Sequence, residues 1–211
     1  TNFANIPVEL TELKQWVHWL AGDPKTGKEV NKVPTSPVDG RRSSTTDPHT
    51  WGTFPKAVEQ ALAFGWGVGF VFTAEDPYTG IDLDDCVDPE NGSIDSWAEE
   101  VIRLLNSYSE ISPSRTGVKI WIKAMMPEGR GRKTKAGNGA IEAYSQERYF
   151  TMTGEHLAWT PNTIEPRQQQ LDELLSRLFV TKHEAPPART ALVALRSEEH
   201  TSELQSHHDS Y

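Results

Sequence analysis

The chain has 211 residues, 36% of them hydrophobic, a single cysteine and a formal net charge of −9. That is room for one ordinary domain with an appendage, and seven Trp and seven Phe supply bulky core material. One cysteine excludes an internal disulfide framework, no apolar run approaches the roughly 18–20 residues of a membrane span, and no charged-then-apolar leader opens the chain, so the expectation is a cytoplasmic protein with no membrane partner.

In chain order, residues 7–13 read as a short helix and 15–20 as a strand. A turn at 23–27 and a return strand at 28–33 make a hairpin. Residues 34–47 are loop, and 50–64 are helical, with Phe54, Ala57, Val58, Ala61 and Leu62 at helical spacing. The apolar run 67–73 is a strand. After a turn-like stretch at 75–80, a second strand carries Ile81, Asp82, Leu83 and Asp84, and Cys86 closes it as a small buried residue. Asp95 is placed to cap a helix running to about residue 106. Residues 112–117 form a loop, 118–123 alternate as a strand, and 128–139 read as a mobile basic loop. Residues 140–144 and 148–153 read as a strand pair around a tight turn, and 166–179 as a helix. Pro-rich residues 184–188 look like an interdomain linker. Hairpins mixed with helices point to an α+β fold around a mostly antiparallel sheet.

Side chains alternate across a strand, so Asp82 and Asp84 share one face while Ile81 and Leu83 point into a core. Two carboxylates side by side either hold a divalent cation or form an acidic strand end facing water. The segment Ser112-Pro-Ser-Arg-Thr-Gly-Val-Lys119 has hydroxyls, a Gly turn and a cation at a strand start, which suits a triphosphate and equally a polar loop. Glu142 sits between apolar neighbours and faces either a site or water. Seven Lys or Arg lie between Arg115 and Lys135 against one acid, Glu128. Lys25, Lys28, Lys32, Arg41 and Arg42 form a second basic group. These cations either line a groove in an otherwise acidic protein or are solvated loop residues.

In order and spacing, several segments together resemble the archaeo-eukaryotic primase superfamily, and within it the bifunctional primase-polymerase domains of phages and plasmids. They are Trp16 and Trp19, Lys32-Val-Pro34, the Ser43–Trp51 stretch, Gly67–Phe72, Gly80-Ile-Asp-Leu-Asp84, Ser112-Pro-Ser-x-x-Gly117, Ile141-Glu142 and Arg148-Tyr-Phe-x-x-Thr-Gly154. The resemblance spans about residues 5–165. It implies an RRM-like sheet bearing the catalytic acids beside a smaller N-terminal α/β unit, and template-directed nucleotidyl transfer in phage or plasmid replication. Asp82, Asp84 and Glu142 match the catalytic acids that bind Mg2+ or Mn2+, and the resemblance implies a two-metal mechanism. Ser112, Ser114, Gly117, Lys119 and Arg148 match the nucleotide site, which would take a dNTP or NTP. Lys32, Arg130, Arg132, Lys133 and Lys135 are the expected contacts to a DNA template and primer. The chain departs from the pattern at Lys119, where His is usual, and at Arg115, where Gly is common. A nucleotide- or DNA-binding module that has lost catalysis at Lys119 is the second reading. A metal-dependent glycosyltransferase, which also uses D-x-D, normally opens on a βαβ unit rather than a helix and hairpin.

The expected organisation is a catalytic domain at 1–165, a C-terminal helix at 166–180, a linker at 181–195 and a tail at 196–211. The tail resembles the translation of a sequencing-library adapter or is an ordinary polar, disordered tail, and on either reading it is set apart from fold reasoning. The position of the linker fits a C-terminal helicase domain missing from this fragment.

Overall fold

The computed structural model describes residues 2–21, 32–129 and 131–178. The expected turn at 23–27, most of the return strand, Lys25, Lys28, Arg130, the linker and the tail lie outside them.

A short helix α1 (Val8–Thr11) leads into strand β1 (Trp16–Ala21), followed by β2 (Lys32–Thr35), α2 (Phe54–Phe64), β3 (Gly67–Phe72) and β4 (Tyr78–Asp84). Then come α3 (Ser96–Leu105), β5 (Ser109–Ile111), β6 (Val118–Lys123), β7 (Arg132–Ala136), β8 (Gly139–Tyr144), β9 (Arg148–Met152), β10 (Glu165–Pro166) and α4 (Gln168–Leu178). The fold is α+β, as expected, with two sheets. One has four strands in the order β2-β1-β3-β9. The other has six, in the order β10-β6-β4-β8-β7, with β5 also pairing β6. All pairings are antiparallel except β10 with β6. No helix among the described residues is long and apolar enough to cross a membrane.

The six-stranded sheet is covered on both faces. On one, Ile81, Leu83, Val118, Ile120, Ile122 and Ile141 pack against Ala98, Ile102 and Leu105 of α3 and Leu171 and Leu174 of α4. On the other, Trp121 meets Phe70 and Phe72 of β3 and Phe150 of β9, so the two sheets share an aromatic core. The strand β3 of the four-stranded sheet is also covered on both faces, which is why all six of its residues are buried: Phe70 and Phe72 enter the shared core, and Val71 packs with Val17 and Trp51 behind it.

Three expectations need correction. Where one mostly antiparallel sheet was expected there are two, and the strands at 67–72 and 78–84 belong to different ones. The turn between them is held by Asp76, which accepts from Thr73 N (2.8 Å), Tyr78 N (3.0 Å) and Gln15 Nε2 (2.7 Å) and so passes the chain from one sheet to the other. Likewise 140–144 and 148–153 are not a pair: β8 pairs β4 and β7, whereas β9 pairs β3. The stretch read as a mobile basic loop contains the edge strand β7, whose backbone is satisfied along β8. A cationic edge discourages pairing with another chain. A smaller difference concerns Asp95, which occupies the N-cap position of α3 without a side-chain cap bond and instead accepts from Trp97 Nε1 at 3.3 Å.

Candidate active site

The register of the six-stranded sheet puts charged residues in one row across five strands. Asp82 on β4 stands opposite Lys119 on β6 and opposite Glu142 on β8. Beyond them, Glu110 on β5 stands opposite Lys119, and Lys133 on β7 opposite Glu142. Directly paired residues have Cα atoms only about 4.5–5.5 Å apart, so the two acids are immediate neighbours. Asp84 is on the same face, one row along, opposite Ala140, which itself faces Lys135.

From Lys119 to Lys133 this row floors a cleft of about 470 Å³ between the sheets. Asp82, Lys119, Lys133, Glu142 and Tyr144 come from the six-stranded sheet; Lys32, Arg148, Tyr149, Phe150 and Thr151 come from the four-stranded one. The aromatic core ends at its edge. Gly80, two residues before Asp82, permits this: a Cβ there would lie 2.4 Å from Phe150 and 2.6 Å from Phe72, so the bare backbone lets both rings close over β4. The carboxylates therefore border an apolar wall, where charges interact more strongly than in water.

Cations neutralise these acids. Lys119, only 6% exposed, bonds Asp82 Oδ2 at 2.5 Å and lies 4.4 Å from the centre of the Phe150 ring. Lys133 and Tyr144 Oη both donate to Glu142, and Arg148 stacks over the Tyr144 ring at 4.7 Å. Burial alone would raise the Glu142 carboxyl, but the hydrogen bonds from Lys133 and Tyr144 and the charges of Lys133 and Arg148 outweigh it and hold Glu142 below its ordinary range. Asp84 goes the other way: burial, then the negative charges of Asp82 and Glu142, raise it. Burial and the bond to Glu142 push Tyr144 up to about 12.

The three acids offer hard oxygen donors, which suit Mg2+ or Mn2+. Among the described residues no group of three or more His, Cys, Asp or Glu already stands as a metal cage. The donor set fits a divalent ion, but Asp82 and Glu142 are bonded to ammonium groups that an ion would have to replace.

A search of protein-family models gives no match. Among curated proteins, the chain is 36% identical over 148 residues to the DNA primase-polymerase of Nitratiruptor phage NrS-1. The chain is a relative of a phage primase-polymerase. The match covers 69% of this chain but only 20% of that protein. It agrees with the resemblance read from the motifs.

The other expected site residues fall in three places. Ser112, Ser114 and Gly117 lie in the loop joining β5 to β6, beside Asp84 rather than in the lining of the cleft. A Cβ on Gly117 would come within 2.5 Å of Leu83 O and 3.6 Å of the Asp84 Cα. The loop hydroxyls bond one another, Ser112 to Ser114 and Ser114 to Thr116, each at 2.9 Å. Arg115 occupies left-handed backbone at φ 65°, which explains why Gly is usual there. On β7, Lys133 and Lys135 share the cleft side of the sheet, whereas Arg132, opposite Ala143, is on the helix side. Arg130 lies outside the described residues.

Sequence reasoning missed Glu110, Tyr144, Tyr149 and Thr151. Tyr144 was within reach, because it follows Glu142 by two residues on one strand and so shares its face. Glu110 lies on a three-residue strand whose pattern is too short to read.

Proposed function

We propose that this domain catalyses template-directed nucleotidyl transfer, as a primase or polymerase in the replication of a phage or plasmid. The observation that carries the reading is the direct pairing of Asp82 with Glu142 in a cleft also lined by Lys32, Lys119, Lys133 and Arg148, with Asp84 one row along on the same face of the sheet. Asp82, Asp84 and Glu142 would hold Mg2+ or Mn2+. The ions, when bound, activate the attacking 3′-hydroxyl and neutralise charge on the leaving pyrophosphate.

The chain's own part is to position and neutralise. With Asp82 and Glu142 holding an ion, the Lys119 and Lys133 ammonium groups would meet a triphosphate as point charges. Arg148, whose Cζ lies 4.7 Å from the centre of the Tyr144 ring, offers a planar donor from the facing sheet. The Ser112–Gly117 loop can receive phosphate oxygens on its hydroxyls at the Asp84 end. Lys32, Lys133 and Lys135 face the side from which a template strand would approach, with Arg132 and Arg130 nearby in sequence. A helicase partner further along the full protein belongs to the same proposal.

The test is extension of a labelled primer on a DNA template with dNTP or NTP and Mg2+ or Mn2+. Metal-dependent, template-matched extension by the parent that disappears in Asp82→Asn supports the reading. Nucleotide and DNA binding without extension favours the module that has lost catalysis, a reading to which the Lys119–Asp82 bond lends weight.

A further inference from the structure

The row of charges begins behind the cleft, at Glu110, whose position suggests a task. Glu110 is 0% exposed. Its Oε1 accepts from the backbone N–H of Thr153 at 2.9 Å, and its Oε2 accepts from the N–H of Gly154 at 2.9 Å and from Tyr108 Oη at 2.8 Å. Its register partner is Lys119, which therefore stands between Glu110 and Asp82 in the row.

Thr153 and Gly154 are where the chain leaves β9 in one sheet and joins the edge of the other. Just past them, Ile111 N donates to Glu155 O at 3.0 Å and Leu157 N to Ser109 O at 2.9 Å, so residues 155–157 run along β5. The N-terminal segment meets the same junction, with Asn2 N donating to Thr153 O at 2.7 Å and Asn5 Nδ2 to Gly154 O at 3.0 Å. Gly154 is at φ 67°, and a Cβ there would lie 1.8 Å from Asn2 O, so no other residue fits without moving the junction. An acid is an expensive way to fill buried space unless its charge and both oxygens are used. Here two successive amides and a phenol use them, in charge-assisted bonds.

The consequence reaches the cleft along β9. That strand carries Phe150, whose ring lies over the Lys119 ammonium, and Arg148 at the cleft wall. We infer that Glu110 is a positioning residue: it clamps β9 to the sheet bearing the acids, and with the seated Phe150 ring it fixes the Lys119 ammonium where a nucleotide triphosphate is to be received. The inference rests on the proposed nucleotidyl transfer for the ligand, but the clamp itself can be read without activity.

The experiment uses the whole chain at pH 8, comparing the parent with Glu110→Gln, Lys119→Met and the double variant. Primer-extension kinetics and the 1H–15N resonances of Thr153 and Gly154 are measured together. Glu110→Gln is expected to raise the KM for dNTP about tenfold while kcat changes less than about threefold, and to add nothing to the KM of Lys119→Met. Both amide resonances are expected to move in Glu110→Gln. Tyr108→Phe removes one donor and keeps the carboxylate, and is expected to raise KM about twofold to threefold, which covers the case that Glu110→Gln does not fold. A KM effect that multiplies with that of Lys119→Met, or a loss confined to kcat, overturns the action through Lys119. Unmoved amide resonances overturn the clamp. If the parent extends no primer with either metal, the functional reading and the action through Lys119 fall together, and the amide resonances alone decide the clamp.

Discussion

Two adjacent rows of the same three strands meet opposite fates. Trp121, Gly80 and Tyr144 form one row, and Lys119, Asp82 and Glu142 the next, one side-chain step along β6, β4 and β8. In the first, Phe72 and Phe150 close over Gly80 and a fully buried Trp121, and only Tyr144 reaches the cleft. The second opens into the cleft. The difference shows how a fold makes a charged site potent without burying it: the apolar roof ends where the carboxylates begin, so they work beside a low-dielectric wall while keeping access to solvent ligands.

Breaking the charged row at its centre has the largest expected effect. Asp82→Asn should lower nucleotide incorporation by at least about 100-fold, measured by primer extension. Relief of like-charge repulsion alone would stabilise the variant. The nearly enclosed Lys119 would, however, lose its charged partner, so urea denaturation should show a net loss of about 1–3 kcal/mol. A gain in stability would mean that the Lys119–Asp82 bond is weak.

The end of the row makes a pH-dependent prediction. Burial raises the Glu110 carboxyl from 4.5 to about 7, so the folded state holds its proton more tightly than the unfolded one. Its contribution is therefore fully present below about 4.5 and is lost as pH rises through about 7. Relative to Glu110→Gln, the parent should lose on the order of 3 kcal/mol over that interval. Denaturation curves for both proteins at several pH values check this, and a constant difference between them would remove the burial argument.

Filling the apolar row should cost less. Gly80→Val places a branched side chain where the Phe72 and Phe150 rings lie and should destabilise by roughly 1–3 kcal/mol, read as a lowered Tm. A neutral result would show that the roof is loose. The smallest effect belongs to the rim. The Lys133 side chain is 60% exposed. Lys133→Gln should leave stability unchanged, weaken DNA binding and reduce the slope of log Kd against log salt by about 1. An unchanged slope would place the template elsewhere.

Much of the charged row was legible because strand alternation is local. Asp82, Asp84 and Lys119 could be assigned a face from their neighbours, and Glu142 came from the resemblance. What could not be read was which strands pair. The alternation of 140–144 and 148–153 suits a hairpin as well as two strands sent to different sheets, and only tertiary packing decides. The edge strand β7 was hidden for a related reason: Arg132-Lys-Thr-Lys-Ala136 has little intrinsic strand character and is held by pairing with β8. The alternation at 118–123 places Trp121 on the face opposite Ile120. It does not reveal that a second sheet covers that face, which is why Trp121 and Lys119 differ so much in surroundings.

The central claim is that Asp82, Asp84 and Glu142 act together in holding divalent metal. Titration with Mn2+, followed by electron paramagnetic resonance of the free ion, tests it most directly and requires no turnover. The parent should bind Mn2+, and Asp82→Asn and Glu142→Gln should each weaken that binding by at least about tenfold. Equal Mn2+ affinity in the parent and both variants would contradict the claim and leave the row of charges as an internal salt-bridge network.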